Sequence, residues 1–400
     1  MAIKKLLKRF LLRSRFYNFI ISNNDIKEVS IIPVDPWPGD PNLAEGFFKG
    51  DYYLAGKKVS SKKKPIWILN ETDKNWIEEL HSFSWLRHLK ARSGPLARKH
   101  AKLLINNWIL YNNTWCEKSW SLDILARRIS SWITNMSFLL AEKEESFSIR
   151  LRKSILKQVR HLNNFTGKKY FFELDKKFGI AEGSIKKTKI IRGLLLSSVC
   201  FNRHDSKVYR KSLNLLDDEI YNSINKDGVH KCRSPFAQLT ILADFITIRD
   251  CFLTASIEVP RGLDDSIKKM AHALRFFRTS DGTLAIFNGS KKGDKFIIDK
   301  ILHSADGKAR ARGPASLSQS GFEKLDNKNI SVFIDALSST NNIYSKSPHA
   351  IEIVTGKNKL LGSCGSLYGK SKEWKSLLLS GSAHSCLTVE DTNAFTGKDI

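Results

Sequence analysis

The most constraining feature of this 400-residue chain is a change of period near Gly282. Before it, apolar residues recur at three- and four-residue spacing for about two hundred residues, the signature of amphipathic helices. In "WIEELHSFSWLRHL" the three-and-four spacing is kept by Trp76, Leu80, Phe83 and Leu86 or Arg87, and in "ARRISSWITNM" by Ile129, Trp132, Ile133 and Met136. Further helices are expected over 96–110, 148–162, 185–200, 207–225, 236–255 and 263–278, joined by short polar loops as in stacked helical hairpins. After Gly282 the chain breaks into short alternating runs between Gly, Asn, Asp and Ser: "TLAIFNG", "ISVFIDAL", "AIEIV", "KLLGSCG" and "HSCLTVED". These are strand signals. Between Lys291 and Lys328 a long polar connection with one strand is expected. The fold class that follows is α+β multidomain, a helical domain over 1–280 and an antiparallel β domain over 281–400.

Charge narrows the partners. Sixty-six Lys and Arg against forty Asp and Glu give a formal charge of +26, which attracts nucleic acid, acidic polysaccharide or anionic lipid alike. No helix-turn-helix, zinc-finger or RNA-binding signature accompanies it, so no specific nucleic-acid partner is expected. No apolar run approaches the roughly 20 residues of a membrane span. The six cysteines are widely spaced and read as reduced thiols, with no metal site and no cofactor expected. "MAIKKLLKRFLLRSRFYNFI" lacks the uninterrupted apolar stretch and small-residue cleavage site of a signal peptide, which makes the cytoplasm the default compartment. That segment instead reads as a basic amphipathic helix. Such a helix suits an anionic membrane surface, and docking of its apolar stripe on the protein's own domain is the favoured expectation.

Several stretches, in order, resemble the heparinase II/III-like polysaccharide lyases, in the branch found in alphaproteobacterial genomes. They are "PVDPWPGDPNLAEGFFKGDYYLAG", "LHSFSWLRHL", "ARRISSWI", "DGVHKCRSPFAQL", "RFFRTSDGTLAIFNGS", "SGFEKL" and "SAHSCLTVED". The resemblance implies an incomplete α/α toroid followed by a β-sandwich-like domain. It also implies a sandwich that extends past Ile400, so a truncated chain is expected. A periplasmic location is a further implication. The implied activity is β-elimination on a uronic-acid-containing anionic glycan such as a glycosaminoglycan, making the chain a carbon-oxygen lyase. The alternative is a binding protein for acidic polysaccharides or oligosaccharides that has lost catalysis.

That chemistry needs a cation or amide to neutralise the uronate carboxylate, a base for the neighbouring proton and an acid for the leaving oxygen. In the family an Asn-His pair, a Tyr and a β-domain His supply these. Here "IAEGSIKKTKI" stands where the pair would be and holds neither residue, while Phe236 and Ala237 stand near the place of the Tyr. The remaining candidates are His230, just after the turn pair Asp227-Gly228 and expected near its ordinary pKa in a loop, together with His349 and His384 at strand starts. Arg233 is the candidate carboxylate or sulfate fork, with capping of carbonyls or pairing with Asp227 as its structural role. Trp115 and Trp120, beside the polar "YNNTWCEKSW", are candidate sugar platforms. "FNRHDSK", with Asn202, His204 and Asp205, reads as a helix start. Arg233 and His384, with His230 nearby, are expected to line one basic cleft.

Overall fold

A computed structural model describes residues 2–22, 28–61, 64–142, 144–203, 206–337, 349–365, 374, 377–378, 380–387 and 390. The chain begins with α1 (Ala2–Arg13) and α2 (Arg15–Ile21), then α3 (Pro41–Phe48) and a hairpin of β1 (Asp51–Leu54) and β2 (Lys57–Ser60). Helices follow without interruption by strands: α4 (Lys74–Ser82), α5 (Leu86–Arg92), α6 (Gly94–Asn112), α7 (Leu122–Thr134), α8 (Met136–Leu139), α9 (Glu145–Phe165), α10 (Lys168–Cys200), α11 (Lys207–Ser223), α12 (Pro235–Thr254), α13 (Arg261–Phe276) and α14 (Lys295–Asp306). The carboxy-terminal part is an antiparallel sheet of β3 (Ser316–Leu317), β4 (Phe322–Asp326), β5 (Ile330–Asp335), β6 (Ile351–Thr355) and β7 (Asn358–Leu361), in that spatial order.

Local chemistry sets these boundaries. Asp40 caps α3 by accepting from Asn42 N, and Pro41 occupies the first turn, where its missing N–H costs nothing. Asp73 caps α4 by accepting from Trp76 N at 3.0 Å. The single helix expected over "WIEELHSFSWLRHL" is two, because Phe83 takes a left-handed conformation (φ 56°) between α4 and α5. Inside α10, Gly179 (φ 76°, ψ 165°) interrupts the helical backbone. The long connection after Lys291 holds an unexpected helix, α14. Its Asp294 cap accepts from Phe296 N and Ile297 N, and Gly307 closes it in the left-handed region. "TLAIFNG" contributes only an isolated bridge, Leu284 to Arg278. Gly381–Ala383 form a short 3-10 turn, and the described residues 384–387 are not a strand.

The described residues form two compact units. One comprises residues 1–167, 189–214 and 250–258. Its core is aromatic: Phe83 stacks on Trp85 at 4.9 Å and meets Trp132 edge-on at 5.2 Å, and Trp132 meets Trp108 at 5.4 Å. The buried Arg128 of α7 lies 4.0 Å over Trp108 and donates to Gln158 Oε1 and to the carbonyls of His81 and Ser119. A charge so far from water persists only with such partners.

The other unit comprises residues 168–188, 215–249 and 259–400. Here Phe276, Phe277, Phe287, Phe322 and Phe333 pack beneath the sheet, each ring within 6.2 Å of another. The sheet register pairs Phe322 with Asp335 and Ile334 with Ile351, so the end of β5 and the start of β6 lie side by side.

Candidate functional site

The "DGVHKCRSPFAQ" motif forms a turn ahead of α12 held by Asp227, Arg233 and Gln238, while the buried His230 Nε2 and Ser234 Oγ have no hydrogen-bond partner among the described residues. Gly228 has φ +85° and lies so close to the Lys269 carbonyl that any Cβ would sit 2.2 Å from it. Asp227 accepts from Ser320 N at 2.8 Å, Ser320 Oγ at 2.9 Å and Val229 N at 3.2 Å. Gln238 ties the turn to α12. Its Oε1 accepts from His230 N, and its Nε2 donates to the carbonyls of Gly228 and Met270.

His230 is therefore not at a groove mouth. It is fully buried, and its Nδ1 accepts from Cys232 N at 3.0 Å, which assigns the ring proton to Nε2. Burial pushes its pKa down to about 4; Glu219 opposes the shift, and Lys187 and Lys231 add to it. The expectation of an ordinary histidine pKa is corrected: near neutrality this ring is uncharged and sealed from water.

Arg233 does sit outside α12, but its partner is not Asp227. Its backbone is in the left-handed region (φ 55°), its Nε donates to the Ser320 carbonyl at 2.9 Å and its Nη2 pairs with Asp335. The guanidinium carbon lies 4.5 Å from the centre of the Phe322 ring. Both side chains of the ion pair are 3% exposed, so the fork is already filled by a carboxylate of the protein itself.

The two stretches that bear on the implied catalytic groups do meet. Ala181 and Ile185 of "IAEGSIKKTKI" pack with Cys232 and Ala237 of the "CRSPFA" motif in one buried cluster. The contact is apolar. Beside it, Lys187 Nζ lies 2.8 Å from Asp175 Oδ2 and 3.0 Å from Glu219 Oε2, with Ser223 donating to Glu219. Burial disfavours the Lys187 ammonium, but Glu219 and Asp175 outweigh it and hold the pKa above the ordinary lysine value.

His384 is buried and doubly bonded: Nε2 donates to the Leu378 carbonyl at 2.9 Å, leaving Nδ1 to accept from Ser363 Oγ at 2.6 Å. Burial pushes its pKa down against the Leu378 carbonyl. Its neighbourhood touches that of Arg233 through backbone: Asp335 N donates to Ala350 O, and Ile351 N donates to Ser385 O. His349, two residues before β6, is exposed, with φ 57°. Trp120 is buried and donates from Nε1 to the Asn112 carbonyl at 2.9 Å, so it offers no face to a sugar. Trp115 is half-buried, with Arg13 6.0 Å from its ring. His204 and Asp205 lie outside the described residues.

An open cleft of about 540 Å³ lies elsewhere on this unit, at the opposite end of the sheet. It is lined by Arg278, Arg312, Lys324 and Lys328 with Asp326 as its carboxylate, and by the turn residues Asn329 and Gly356, joined by a hydrogen bond of 3.1 Å. From Ile330 at the cleft to Asp335 at the Arg233 pair, β5 runs roughly 17 Å. None of the sequence candidates lines the cleft. Arg312 and Lys328 were not singled out because nothing local distinguishes them from the other basic residues of the chain. Among the described residues, no group of three or more His, Cys, Asp or Glu is placed to hold a metal ion.

Solved structures with this architecture include heparinase III and a heparan sulfate lyase. A crystal structure of heparinase III superposes with a TM-score of 0.68 at 14% identity, over 94% of this chain and 66% of that one. The chain has the heparinase III fold. Heparan sulfate lyase HepC from Pedobacter heparinus follows at TM-score 0.59 and 16% identity, over 94% of this chain and 65% of that one. The helical part followed by an antiparallel sheet is the order expected from the sequence. No family model matches the chain. A curated relative, FtsZ-localized protein C of Caulobacter vibrioides, is 27% identical over 346 residues, covering 84% of this chain. The chain spans 56% of that relative and about two thirds of the two lyases. Among the described residues, no helix is long and apolar enough to cross a membrane.

Proposed function

We propose that the chain is an acidic-glycan-binding protein on the heparinase III fold, with the basic cleft at the start of β5 as the place where the polyanion rests. The observation that carries this reading is the cleft's lining: the exposed Arg312 and Lys328 stand on an open, polar groove beside Arg278 and Lys324, which are paired with Asp299 and Asp326. Such a groove suits a hydrated, extended anionic chain better than a small apolar ligand. β-Elimination on a uronic-acid glycan is the activity the sequence resemblance implies. Binding without cleavage is favoured instead by the apolar packing of "IAEGSIKKTKI" on "CRSPFA". It is favoured too by Phe236 near the Tyr's place, by the burial of His230 inside the fold and by Arg233 being already paired with Asp335.

Titrating the chain with heparan sulfate and other uronic-acid oligosaccharides, while following the absorbance of unsaturated uronate, tests both parts. Saturable binding with no growth in absorbance is expected. A steady rise would restore the lyase reading, and absence of saturable binding would sink the glycan reading altogether.

A second reading is favoured by the 27% identity to FtsZ-localized protein C, well above the 14% and 16% to the lyases. On it, this chain works at the division site, in the cytoplasm, and uses the lyase fold as a binding scaffold. A fluorescent fusion that stays diffuse while FtsZ forms rings would remove this reading.

A further inference from the structure

We infer that α1 and α2 form a membrane-surface anchor for anionic bilayers. The expectation from sequence was that the apolar stripe of this segment docks on its own domain. The structure divides the stripe differently. Leu12, Tyr17 and Ile21 are buried, and they fix the helices: Tyr17 Oη lies 2.7 Å from His161 Nδ1, and Arg160 donates to the Ile21 carbonyl at 2.8 Å. Ser14 separates the two helices and caps the second by accepting from Tyr17 N.

The larger apolar side chains point to solvent. Leu6 is 62% exposed, Leu7 63%, Phe10 79%, Phe16 67%, Phe19 77% and Ile20 55%. In each helix they fall at three- and four-residue spacing, as one row per helix. Leaving this many large apolar side chains in water is unfavourable, and soluble chains that do so present them to a partner.

Charge selects the occupant. Residues 1–24 contain Lys4, Lys5, Lys8, Arg9, Arg13 and Arg15 and no Asp or Glu; Arg9 is paired with Glu117, between α6 and α7, which leaves the other five for a partner's charge. A protein groove would have to supply a matching acidic rim around an apolar floor. An anionic bilayer offers both at once, with phosphate headgroups for the cations and acyl chains for the rings, at the depth an interfacial helix occupies. The helices are already formed and held by Tyr17 and Ile21, so little ordering entropy opposes insertion. The anchor does not depend on the glycan cleft, which is on the other compact unit.

The test is co-sedimentation of the full chain with phosphatidylglycerol-containing vesicles and with pure phosphatidylcholine vesicles. Binding is expected on the first and near-absent on the second. Phe10→Asp with Phe19→Asp should weaken it by about tenfold or more. Both side chains are over three quarters exposed, so the fold survives the change, as circular dichroism and the melting temperature will report. Lys4→Glu with Lys8→Glu is the second variant and should abolish the preference for the anionic vesicles. Failure of the unaltered chain to sediment with anionic vesicles overturns the anchor, as does binding that both variants retain in full. Binding equally tight to phosphatidylcholine overturns the charge argument.

Discussion

Arg233 on the turn before α12 and Asp335 at the end of β5, 102 residues apart in sequence, form an ion pair buried against Phe322. The pair fastens the "CRSPFA" motif to the sheet, and Asn288 supports it from Asp335 Oδ2 and the Arg233 carbonyl. Removing one partner leaves the other charged and dry, which costs about 3–5 kcal/mol. Asp335→Ala should therefore lower the urea midpoint sharply, whereas Arg233→Met combined with Asp335→Leu should recover much of the loss. A midpoint unmoved by Asp335→Ala would mean that the carboxylate is dispensable and Arg233 is free for a ligand.

His230 makes stability depend on pH. Its folded pKa of about 4 lies below the unfolded value near 6.5, so between those limits the unfolded chain binds the extra proton. Its contribution is fully present above the unfolded value and is lost as pH falls through that window, about 3 kcal/mol in all. His230→Asn, which keeps an acceptor for Cys232 N but does not titrate, should flatten the stability profile between pH 4 and 6.5. An unchanged slope would place the acid sensitivity on other groups, such as His81, whose pKa burial holds at about 3.

The tryptophans separate structure from binding. Trp120 is packed against His161 with ring centres 5.3 Å apart, and Trp120→Ala should cost about 3–5 kcal/mol as a large-to-small core change. Trp115→Ala should cost much less. Neither should alter glycan affinity in the folded protein when measured by titration calorimetry. A selective loss of affinity in Trp115→Ala would make that ring a sugar platform after all.

Periodicity was enough to read most of the helical part, though not α3 or residues 168–184 of α10, and three of the β strands, because burying one face of a helix or strand writes its period into the side chains. The turn-based hairpin of β1 and β2 carries that signal too weakly, with one buried residue in two on β1 and none on β2. Helix α14 was hidden by its polar flanks, although the Asp294 cap and Gly307 were there to be read. The site was less legible. A histidine after a turn looks exposed in sequence, and only the fold reveals that Gln238, Cys232 and Glu219 surround it. Likewise the partner of Arg233 lies on a strand that no local pattern connects to it.

The basic cleft makes the most direct claim on function. Arg312 and Lys328 line it from loop positions, and both are exposed, so reversing their charge leaves the packing of the sheet untouched. Lys324 is different, because its ammonium also lies 3.2 Å from Asp326 and 4.9 Å from the Phe333 ring. If an anionic glycan rests there, Arg312→Glu with Lys328→Glu should weaken heparan sulfate binding by about tenfold or more, since two attractions become repulsions within one screening length of the ligand. The loss should shrink as salt rises from about 0.05 to 0.5 M, because the charges involved face water. The melting temperature should stay within a degree or two of the parent protein. Calorimetric titrations at both salt concentrations measure all of this. Equal affinity of the double variant and the parent at low salt would move the glycan to another surface of the protein.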